Sequence, residues 1–407
     1  MQPNVMIVAT RHWISAARLA IALSKAGFAV DVVCPSRHPI RKTTAARRMF
    51  EYRGLKGVES VRRALLSSRP DIAIAADDLA VLHLYDLYCE RKGNKAILAL
   101  IERSLGSPAE IPLIYSRARM LQTAREEGVQ APESELVVTV DDLTRWGAQK
   151  GFPAVLKSDR SFGGSGVRVV HTIQTAQRAF RELAAPPPLA RAVKRALLDR
   201  DATQVWPSLL RRRPAVSVQG YVPGREATST VACWRGAVLA SLHFDVLRTA
   251  YPRGPATVIR AVNDDVMAAA CAKIAARLRL SGIHGFDFIR EAGSGTPYLI
   301  EMNPRATQTA HLALGPGHDL AVALHAAITG ELPKTSQRVT DHDTIALFPH
   351  EWFRDPGSTF LQSAYHDVPW KEHRLVKAGL AQGQKRYGGT LERRALQTVL
   401  QAGARQT

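Results

Sequence analysis

The architecture of the chain follows from two neighbouring segments, Gly282-Ile-His-Gly-Phe-Asp-Phe-Ile-Arg290 and Pro297-Tyr-Leu-Ile-Glu-Met-Asn-Pro-Arg305. In both segments, large apolar side chains alternate with their neighbours at the period of two that is typical of a β-strand. The connector, residues 291–296, is rich in turn-forming residues. Together these features predict an antiparallel hairpin.

Three polar side chains in this hairpin are placed to bind a cation. Asp287 lies in the first strand, and Glu301 and Asn303 lie in the second. Because each sits between apolar neighbours, pairing of the strands would bring the three onto one face. Their oxygens are ligands of the kind that Mg²⁺ prefers, with water and substrate phosphates completing its shell. Arg305 would extend toward whatever the metal holds; the alternative is that these residues are solvated charges on an edge hairpin.

A glycine-rich hairpin lies upstream of these strands. A predicted strand over 151–157 ends in Lys157, residues 161–167 contain three glycines, and a second strand follows over 168–171. Glycines let backbone N–H groups approach phosphate oxygens, and a nearby lysine supplies a positive charge. The segment is not a Walker A loop, because no Gly-Lys-Ser/Thr follows. It predicts either a phosphate-binding hairpin or a flexible turn.

The beginning of the chain alternates strands and helices. We predict strands over 5–9, 28–34 and 71–75 and helices over 15–26 and 59–68. This alternation predicts a parallel sheet with helices on its faces. The loop at 10–15 lacks the GxGxxG fingerprint, which argues against a nicotinamide dinucleotide site. Polar residues at the strand ends either touch a substrate or, as we favour, cap helices and line an interface: Arg11, His12, Asp77 and Asp78.

The remainder of the chain predicts a second, mixed unit. Helices are expected over 116–127, 141–149, 175–183, 263–279 and 319–329, and strands over 136–139, 215–222, 227–231, 237–243 and 344–348. Residues 186–214 contain a triple proline and several arginines, so we interpret them as a basic surface insertion. That insertion is either a handle for an anionic partner or a solvated basic helix. No chemistry is assigned to the tail, which is a candidate cover for the active site.

Length and composition limit the class of protein. The 407 residues predict two or three domains, and a content of 46% hydrophobic and 22% charged residues is ordinary for a folded, soluble protein. No apolar run reaches the roughly 18 to 20 residues of a membrane span, and the start lacks the features of a signal peptide. The four cysteines form no CxxC pair, so we expect buried free thiols and a cytoplasmic protein: Cys34, Cys89, Cys233 and Cys271.

The charge of the chain is unusual. The formal net charge is +19 and the sequence pI is near 10.2. Such a balance is compatible with nucleic acid, an anionic membrane, an anionic substrate or a GC-rich genome that encodes basic residues as arginine. Aromatic residues make up only 6% of the chain, and no stacking platform or nucleic-acid motif is recognised. Nucleic-acid binding is therefore not expected as the main function.

The order of these features resembles the ATP-grasp superfamily, which includes D-alanine–D-alanine ligase, biotin carboxylase and the carbamoyl phosphate synthetase large chain. The features are the leading strand–helix–strand unit, the lysine-ended strand with its glycine-rich hairpin, the stretch Gln219-Gly-Tyr-Val-Pro-Gly-Arg-Glu226 and the final Asp287…Glu301-x-Asn303-x-Arg305 hairpin. The Glu-Met-Asn-Pro-Arg motif is similar to that of carbamoyl phosphate synthetase. The resemblance covers residues 1–330, and the insertion and the tail depart from it.

The resemblance implies a fold, domain bounds and roles for individual residues. The implied fold is α/β and α+β: an N-terminal Rossmann-like parallel-sheet domain over 1–112, an ATP-grasp domain over 113–335 with a lid over 150–222, and an extension over 336–407. ATP and Mg²⁺ or Mn²⁺ are the implied cofactors. The implied nucleotide-binding residues are Arg117, Lys157, Ser161, Gly163, Gly164, Gly166, Gln219, Tyr221, Val222 and Glu226; the implied metal ligands are Asp287, Glu301 and Asn303; and the implied catalytic residues are Arg305 and Lys157.

The resemblance further implies an ATP-dependent carboxylate–amine or carboxylate–thiol ligase that works through an acyl phosphate. The alternatives are an ATP-grasp kinase or carboxylase, or a non-catalytic nucleotide-binding protein with a basic surface. A biotin carboxylase is disfavoured, because no biotinyl-carrier Met-Lys-Met segment is present. The expected partners are a small-molecule carboxylate and an amine, and a homodimer stays open.

Overall fold

The computed structural model describes residues 2–90, 93–159, 166–186, 188–189, 208–211, 213–333 and 335–387. Most of the expected basic insertion and the last twenty residues lie outside these ranges. The described residues form a mixed α/β structure with three sheets.

The first sheet confirms the predicted parallel unit. Its strands lie in the order β3-β2-β1-β4, and all pairs are parallel. The bounds are β1 (Asn4–Val8), β2 (Ala29–Cys34), β3 (Ala46–Glu51) and β4 (Ile72–Ala75). Strand β3 was not predicted, because its sequence, Ala-Arg-Arg-Met-Phe-Glu, is too polar for a buried strand. It forms the exposed edge of the sheet.

A second, antiparallel sheet contains the predicted glycine-rich hairpin. Its order is β5-β8-β6-β7. The bounds are β5 (Ser134–Val137), β6 (Ala154–Ser158), β7 (Val167–Val170) and β8 (Val216–Gly220). The strand that contains Lys157 begins at Ala154, three residues later than predicted, after the cis peptide bond between Phe152 and Pro153. We call this sheet the lid sheet.

The third sheet is the largest and carries the hairpin with the polar face. Its order is β13-β12-β9-β10-β11-β14-β15, antiparallel except for the last pair. The bounds are β9 (Gly224–Trp234), β10 (Ala237–Thr249), β11 (Ala256–Ala261), β12 (Gly282–Glu291), β13 (Pro297–Asn303), β14 (Thr344–Leu347) and β15 (Tyr365–Asp367). The tail is thus part of this central sheet, which the sequence analysis did not predict.

Helices cover the sheets. The α-helices are α1 (Ile14–Ala26), α2 (Gly57–Ser68), α3 (Asp78–Tyr88), α4 (Lys95–Leu105), α5 (Ile111–Ile114), α6 (Arg117–Glu126), α7 (Val140–Lys150), α8 (Ile173–Leu183), α9 (Asp265–Arg277), α10 (Leu320–Thr329), α11 (His350–Arg354), α12 (Phe360–Ser363) and α13 (His373–Tyr387). No helix among the described residues is long and apolar enough to cross a membrane. Cys34, Cys233 and Cys271 are buried free thiols as expected, whereas Cys89 is exposed.

The N-terminal sheet and the central sheet share two hydrophobic cores. Along β1, Val5 and Ile7 belong to one core, and Met6 and Val8 belong to the other. This is the alternation expected for a strand that is buried on both faces. The first core also contains residues of α1, α10, β14 and α13, and the second contains Phe286 of β12. The two sheets are therefore parts of one packed body.

Local backbone geometry fixes the register of the central sheet. The turn after Trp234 is a tight one: Arg235 and Gly236 have φ values of 52° and 88°, the left-handed pair that a two-residue hairpin needs. At the start of β9, a Cβ added to Gly224 would lie 1.8 Å from the carbonyl oxygen of Arg290. Only glycine allows β9 to approach β12 so closely, which brings Glu226 and Thr228 beside the polar hairpin.

Candidate active site

A cleft of about 630 Å³ lies between the lid sheet and the central sheet. Its walls include most of the predicted site residues that the structure describes: Arg117, Lys157, Gln219, Tyr221, Val222, Glu226, Asp287, Glu301, Asn303 and Arg305. A volume of this size is typical of a small-molecule site. The structure therefore brings together residues that are up to 188 positions apart in the sequence, from Arg117 to Arg305.

Asp287 and Glu301 are direct cross-strand neighbours on β12 and β13. Asp287 accepts hydrogen bonds from Thr228 Oγ1 at 3.0 Å and from Asn303 Nδ2 at 2.8 Å. Burial and the nearby Glu301 carboxylate raise the pKa of Asp287. Two carboxylates that repel each other at the wall of a cleft form a suitable site for a divalent cation.

The donor set fits Mg²⁺ better than a transition metal. Among the described residues, no group of three or more His, Cys, Asp and Glu side chains is placed to hold a metal. Two carboxylates without sulfur or imidazole are the partial oxygen shell that Mg²⁺ uses when phosphates and water supply the rest. The third predicted ligand, Asn303, uses its oxygen within the protein instead of leaving it free for a metal. Its Oδ1 accepts a hydrogen bond from Arg305 at 3.2 Å.

Two cations face Glu301. Arg117, the first residue of α6, donates from its guanidinium to Glu301 Oε1 at 3.2 Å and also bonds the carbonyl of Ser158. Burial raises the pKa of Glu301, but Arg117 and Lys157 outweigh it, so the pKa of this carboxyl lies below its usual range. Glu301 is therefore ionised at neutral pH and ready to bind a cation.

Lys157 is a buried cation at the end of the lid strand β6. Its side chain donates to the carbonyl oxygen of Ile300 at 3.1 Å, and the residue is only 4% exposed. Burial lowers the pKa of Lys157 to about 8, although Glu301 opposes the shift. The contact with Ile300 links the lid sheet to the strand that carries Glu301.

Arg305 is held from several sides. Its Nε donates to Asp78 Oδ2 at 2.7 Å, and its guanidinium lies 5.2 Å from the centre of the Trp13 ring. The backbone NH of Ala306 bonds the carbonyl of Ala75 at the end of β4, at 3.0 Å. The guanidinium is therefore fixed at the junction between the N-terminal sheet and the central sheet.

The strand β8 forms the other end of the cleft. Gln219 is 3% exposed, and its Oε1 has no hydrogen-bond partner among the described atoms. The strand ends at Gly220, so the backbone groups of Tyr221 and Val222 lie outside the ladder, and both residues line the cleft. Glu226 lies beyond them, and burial together with Asp287 raises the pKa of its carboxyl.

The glycine-rich tip is described only in part. Ser161, Gly163 and Gly164 lie outside the described residues. Gly166 is described, and its carbonyl accepts a hydrogen bond from the backbone NH of Ser158 at 2.9 Å, which closes the hairpin at its base. Val167, the next residue, lines the cleft.

Several residues of the cleft were not predicted from the sequence. Thr228 follows Glu226 at the strand period of two, and that spacing is a signal that could have found it. Arg253 lies in a Tyr-Pro-Arg-Gly-Pro turn, and its guanidinium donates to Val167 of the lid at 3.3 Å. His350 and Gln382 come from the tail, and nothing in their local sequence indicated a site.

Asp77 and Asp78, which follow β4 in the N-terminal sheet, have different roles. Asp77 caps α3 and accepts hydrogen bonds from the backbone of Thr10 and Arg11 at 2.6 and 3.0 Å. This confirms the favoured interpretation for Asp77. Asp78, in contrast, accepts a hydrogen bond from Arg305, which is a residue of the cleft.

Comparison with solved structures identifies the architecture. The biotin carboxylase domain dimer of the Hydrogenobacter thermophilus 2-oxoglutarate carboxylase, in complex with MgADP, ADP and bicarbonate, aligns with a TM-score of 0.57 and 16% identity over 82% of this chain and 71% of that chain. The chain has the ATP-grasp fold. The N5-carboxyaminoimidazole synthase of Aspergillus clavatus, in complex with ADP and 5-aminoimidazole ribonucleotide, aligns with a TM-score of 0.58 and 16% identity over 81% of this chain and 78% of that chain.

A third ATP-grasp structure gives the same result. The N5-carboxyaminoimidazole synthetase of Staphylococcus aureus, complexed with ADP, aligns with a TM-score of 0.55 and 14% identity over 83% of this chain and 80% of that chain. No family model and no curated protein sequence matches the chain. At these identities the likeness establishes the ATP-grasp fold, and the function has to be argued from the cleft.

Proposed function

We propose that the protein is an ATP-dependent ligase that joins a carboxylic acid to an amine through an acyl phosphate and releases ADP and phosphate. The observation that carries this proposal is the cross-strand pair of Asp287 and Glu301 in one cleft with Lys157 and Arg305. Oxygen ligands for a metal thus lie beside cations for phosphate groups. This is the combination that phosphoryl transfer requires.

The nucleotide occupies the end of the cleft formed by the lid sheet and β9. The buried, unpartnered Oε1 of Gln219 is an acceptor suited to an exocyclic amine such as that of adenine. The backbone of Tyr221 and Val222 offers further groups outside the ladder, and Glu226 is placed for a ribose hydroxyl. The triphosphate then extends toward Lys157 and the carboxylate pair. These assignments support ATP, in line with the nucleotides named for the structural neighbours.

The chemistry needs positioned charge and not a protein nucleophile. An oxygen of the substrate carboxylate attacks the γ-phosphorus, the bond to the β-phosphate oxygen breaks, and ADP leaves. The amine then attacks the acyl carbon of the mixed anhydride, and phosphate leaves. Mg²⁺, held by Asp287 and Glu301, supplies charge neutralisation when it is bound. Lys157 balances phosphate charge, and Arg305 stabilises the charge on the acyl phosphate.

The test is a screen of carboxylate and amine pairs for phosphate release with Mg-ATP, followed by mass spectrometry of the product. The ligase proposal predicts ADP and not AMP, and a product mass equal to acid plus amine minus water. Glu301→Ala is the matched negative control. AMP release, or phosphorylated acid as the final product, would contradict the ligase assignment.

A carboxylase is the second candidate. The H. thermophilus structure is a complex that contains bicarbonate. Bicarbonate is also a carboxylate that ATP can activate. This candidate predicts ADP release that depends on bicarbonate and is stimulated by an amine acceptor without any other acid. Incorporation of ¹³C from labelled bicarbonate into the product distinguishes it from the ligase.

A further inference from the structure

Beyond Arg305, the cleft also extends to segments outside the lid sheet. This far end is lined by parts of the chain that the nucleotide assignments above do not use. They are Trp13 and Ser15 at the start of α1, Thr307 and Gln308 after β13, and His350 and Gln382 from the tail. Because the carboxylate of the substrate must meet the γ-phosphate near Arg305, the remainder of the acid lies in this far end.

Hydrogen bonds within the protein hold the polar side chains of the far end in place. Gln308 donates to the carbonyl of Ala256 at 3.2 Å. The hydroxyls of Thr307 and Thr309 each bond Thr230 of β9, at 2.6 and 2.7 Å. The side chain of Gln382 bonds the carbonyl of His12, which ties the tail to the loop before α1. Side chains held in this way present a fixed pattern of polar groups to a ligand.

Among the described residues, the charged side chain that lines the far end is positive. Arg305 is its cation, and no aspartate or glutamate lines it among the described residues. The acidic residues of the cleft are Glu226, Asp287 and Glu301, which belong to the nucleotide and metal portion. Asp78 is committed to Arg305 Nε, and the small adjoining cavity that it lines lies on the metal side, beside Glu301 and Asn303. The first turn of α1 also contains no acidic residue.

We propose that the acid substrate carries no ammonium group: its body is neutral or anionic and bears hydroxyl or amide groups. This inference rests on the ligase proposed above and names its substrate class. An ammonium group enclosed without a carboxylate partner loses its hydration and gains no compensating charge. Hydroxyl and amide groups, in contrast, find partners in Ser15, Gln308 and Gln382. Hydroxy acids are therefore preferred over amino acids of the same skeleton.

The test compares matched pairs that differ only in this group: lactate and alanine, malate and aspartate, and 2-hydroxyglutarate and glutamate. The dissociation constant of each acid is measured by calorimetry on the full chain, saturated with Mg²⁺ and a non-hydrolysable ATP analogue. We expect the hydroxy acid of at least one pair to bind at least tenfold more tightly than its amino partner. Equal affinity, tighter binding of the amino acids or no binding in any pair overturns the proposal.

A charge variant tests the same idea from the protein side. Ser15→Asp places a carboxylate in the far end, and an acidic residue in the first turn of a helix is favourable for folding. Ser15→Asn is the neutral control of the same shape. The Asp variant is expected to shift the preference toward the amino acid of each pair, relative to the Asn variant. The same preference in both variants overturns the proposal.

The two proposals fail in different ways. An acid that binds with the predicted preference, but whose addition with any amine gives no ADP, contradicts the ligase and leaves the binding preference in place. ADP release that is faster with amino acids than with hydroxy acids contradicts the inference on substrate class and leaves the ligase in place.

Discussion

Asp78 Oδ2 lies 2.7 Å from Nε of Arg305, although 227 positions separate the two residues in the sequence. Asp78 is the first residue of α3 and lies three positions after the end of β4, and Arg305 lies two positions after the end of β13. The side chain of each residue is largely buried, with 9% and 15% exposure. The N-terminal sheet therefore fixes the direction of the cation that we assign to the acyl phosphate.

Replacing Asp78 tests this relationship. Asp78→Asn removes the charge that holds Nε of Arg305, so the guanidinium is expected to shift and turnover to fall by about a hundredfold, as for other misplacements near 1 Å. The dissociation constant for ATP should change little, because Asp78 acts through Arg305 and is assigned no contact with the nucleotide. Steady-state ADP release and calorimetry with an ATP analogue measure the two effects. Asp86→Asn, at an exposed residue of the same helix, is the control, and an equal loss in both variants would contradict the assignment.

The carboxylate pair predicts a metal requirement. Glu301→Ala leaves Arg117 and Lys157 without their shared anion, and we expect it to reduce ADP release by about 10² to 10³-fold. Chelation of divalent cations should stop turnover of the unaltered protein, and added Mg²⁺ should restore it. A circular dichroism spectrum checks that the variant is folded. Undiminished turnover in a folded Glu301→Ala protein would rule out the metal site proposed here.

Lys157 predicts a pH dependence of nucleotide binding. Its pKa is lowered to about 8 by burial, so the charged form is present below about pH 8 and is lost as pH rises through that value. Affinity for an ATP analogue should therefore fall between pH 7 and pH 9. Lys157→Arg keeps its charge over this range, and its affinity should change much less. Calorimetry at three pH values measures both, and parallel profiles would contradict the assignment.

The same shift has a consequence for stability, with a definite sign. Between about pH 8 and the higher pKa of an unfolded lysine, the unfolded chain binds more protons at Lys157 than the folded chain does. The contribution of this group to the free energy of unfolding therefore rises with pH across that window.

Strand β12 contributes a core residue, Phe286, whose replacement should lower the free energy of unfolding strongly. Phe286 is fully buried, with 0% exposure, in the core shared by the N-terminal and central sheets. Phe286→Ala should lower the free energy of unfolding by about 3 to 5 kcal/mol, measured by urea denaturation. Leu55→Ala, at a residue that is 85% exposed, is the control and should change it by less than about 0.5 kcal/mol. Similar costs in both variants would mean that this core is not as the structure describes it.

The hairpin and its polar face were predictable because both depend on neighbours in sequence. Phe286 and Phe288 fix the face of the strand by their spacing, and Asp287 then lies on the opposite face. The same reasoning found the strand that ends in Lys157 and the parallel strands of the N-terminal sheet. The motif from Glu301 to Arg305 added a family resemblance, and the structural neighbours confirm the fold that it implied.

The residues that were not predicted depend on contacts between distant segments. The contact of Asp78 with Arg305 was not predicted: the local sequence favoured a helix cap over a role in the site, and only the path of β13 brings Arg305 to it. His350 and Gln382 lie in a tail without recognisable motifs, which the structure joins to the central sheet through β14 and β15. Strand β3 was missed for a different reason: Arg47 and Arg48 both turn to the buried Asp31, so its polarity conceals a paired strand.

The bond between Gln382 and His12 has a consequence for the order in which the cleft is assembled. These residues are 370 positions apart, and contacts of such high sequence separation carry a large entropic cost of loop closure and form slowly. Until α13 docks, the β1–α1 loop lacks this partner and the far end of the cleft lacks Gln382 as part of its wall. We therefore expect the far end of the cleft to be completed later than the hairpin of β12 and β13, whose strands are neighbours in sequence.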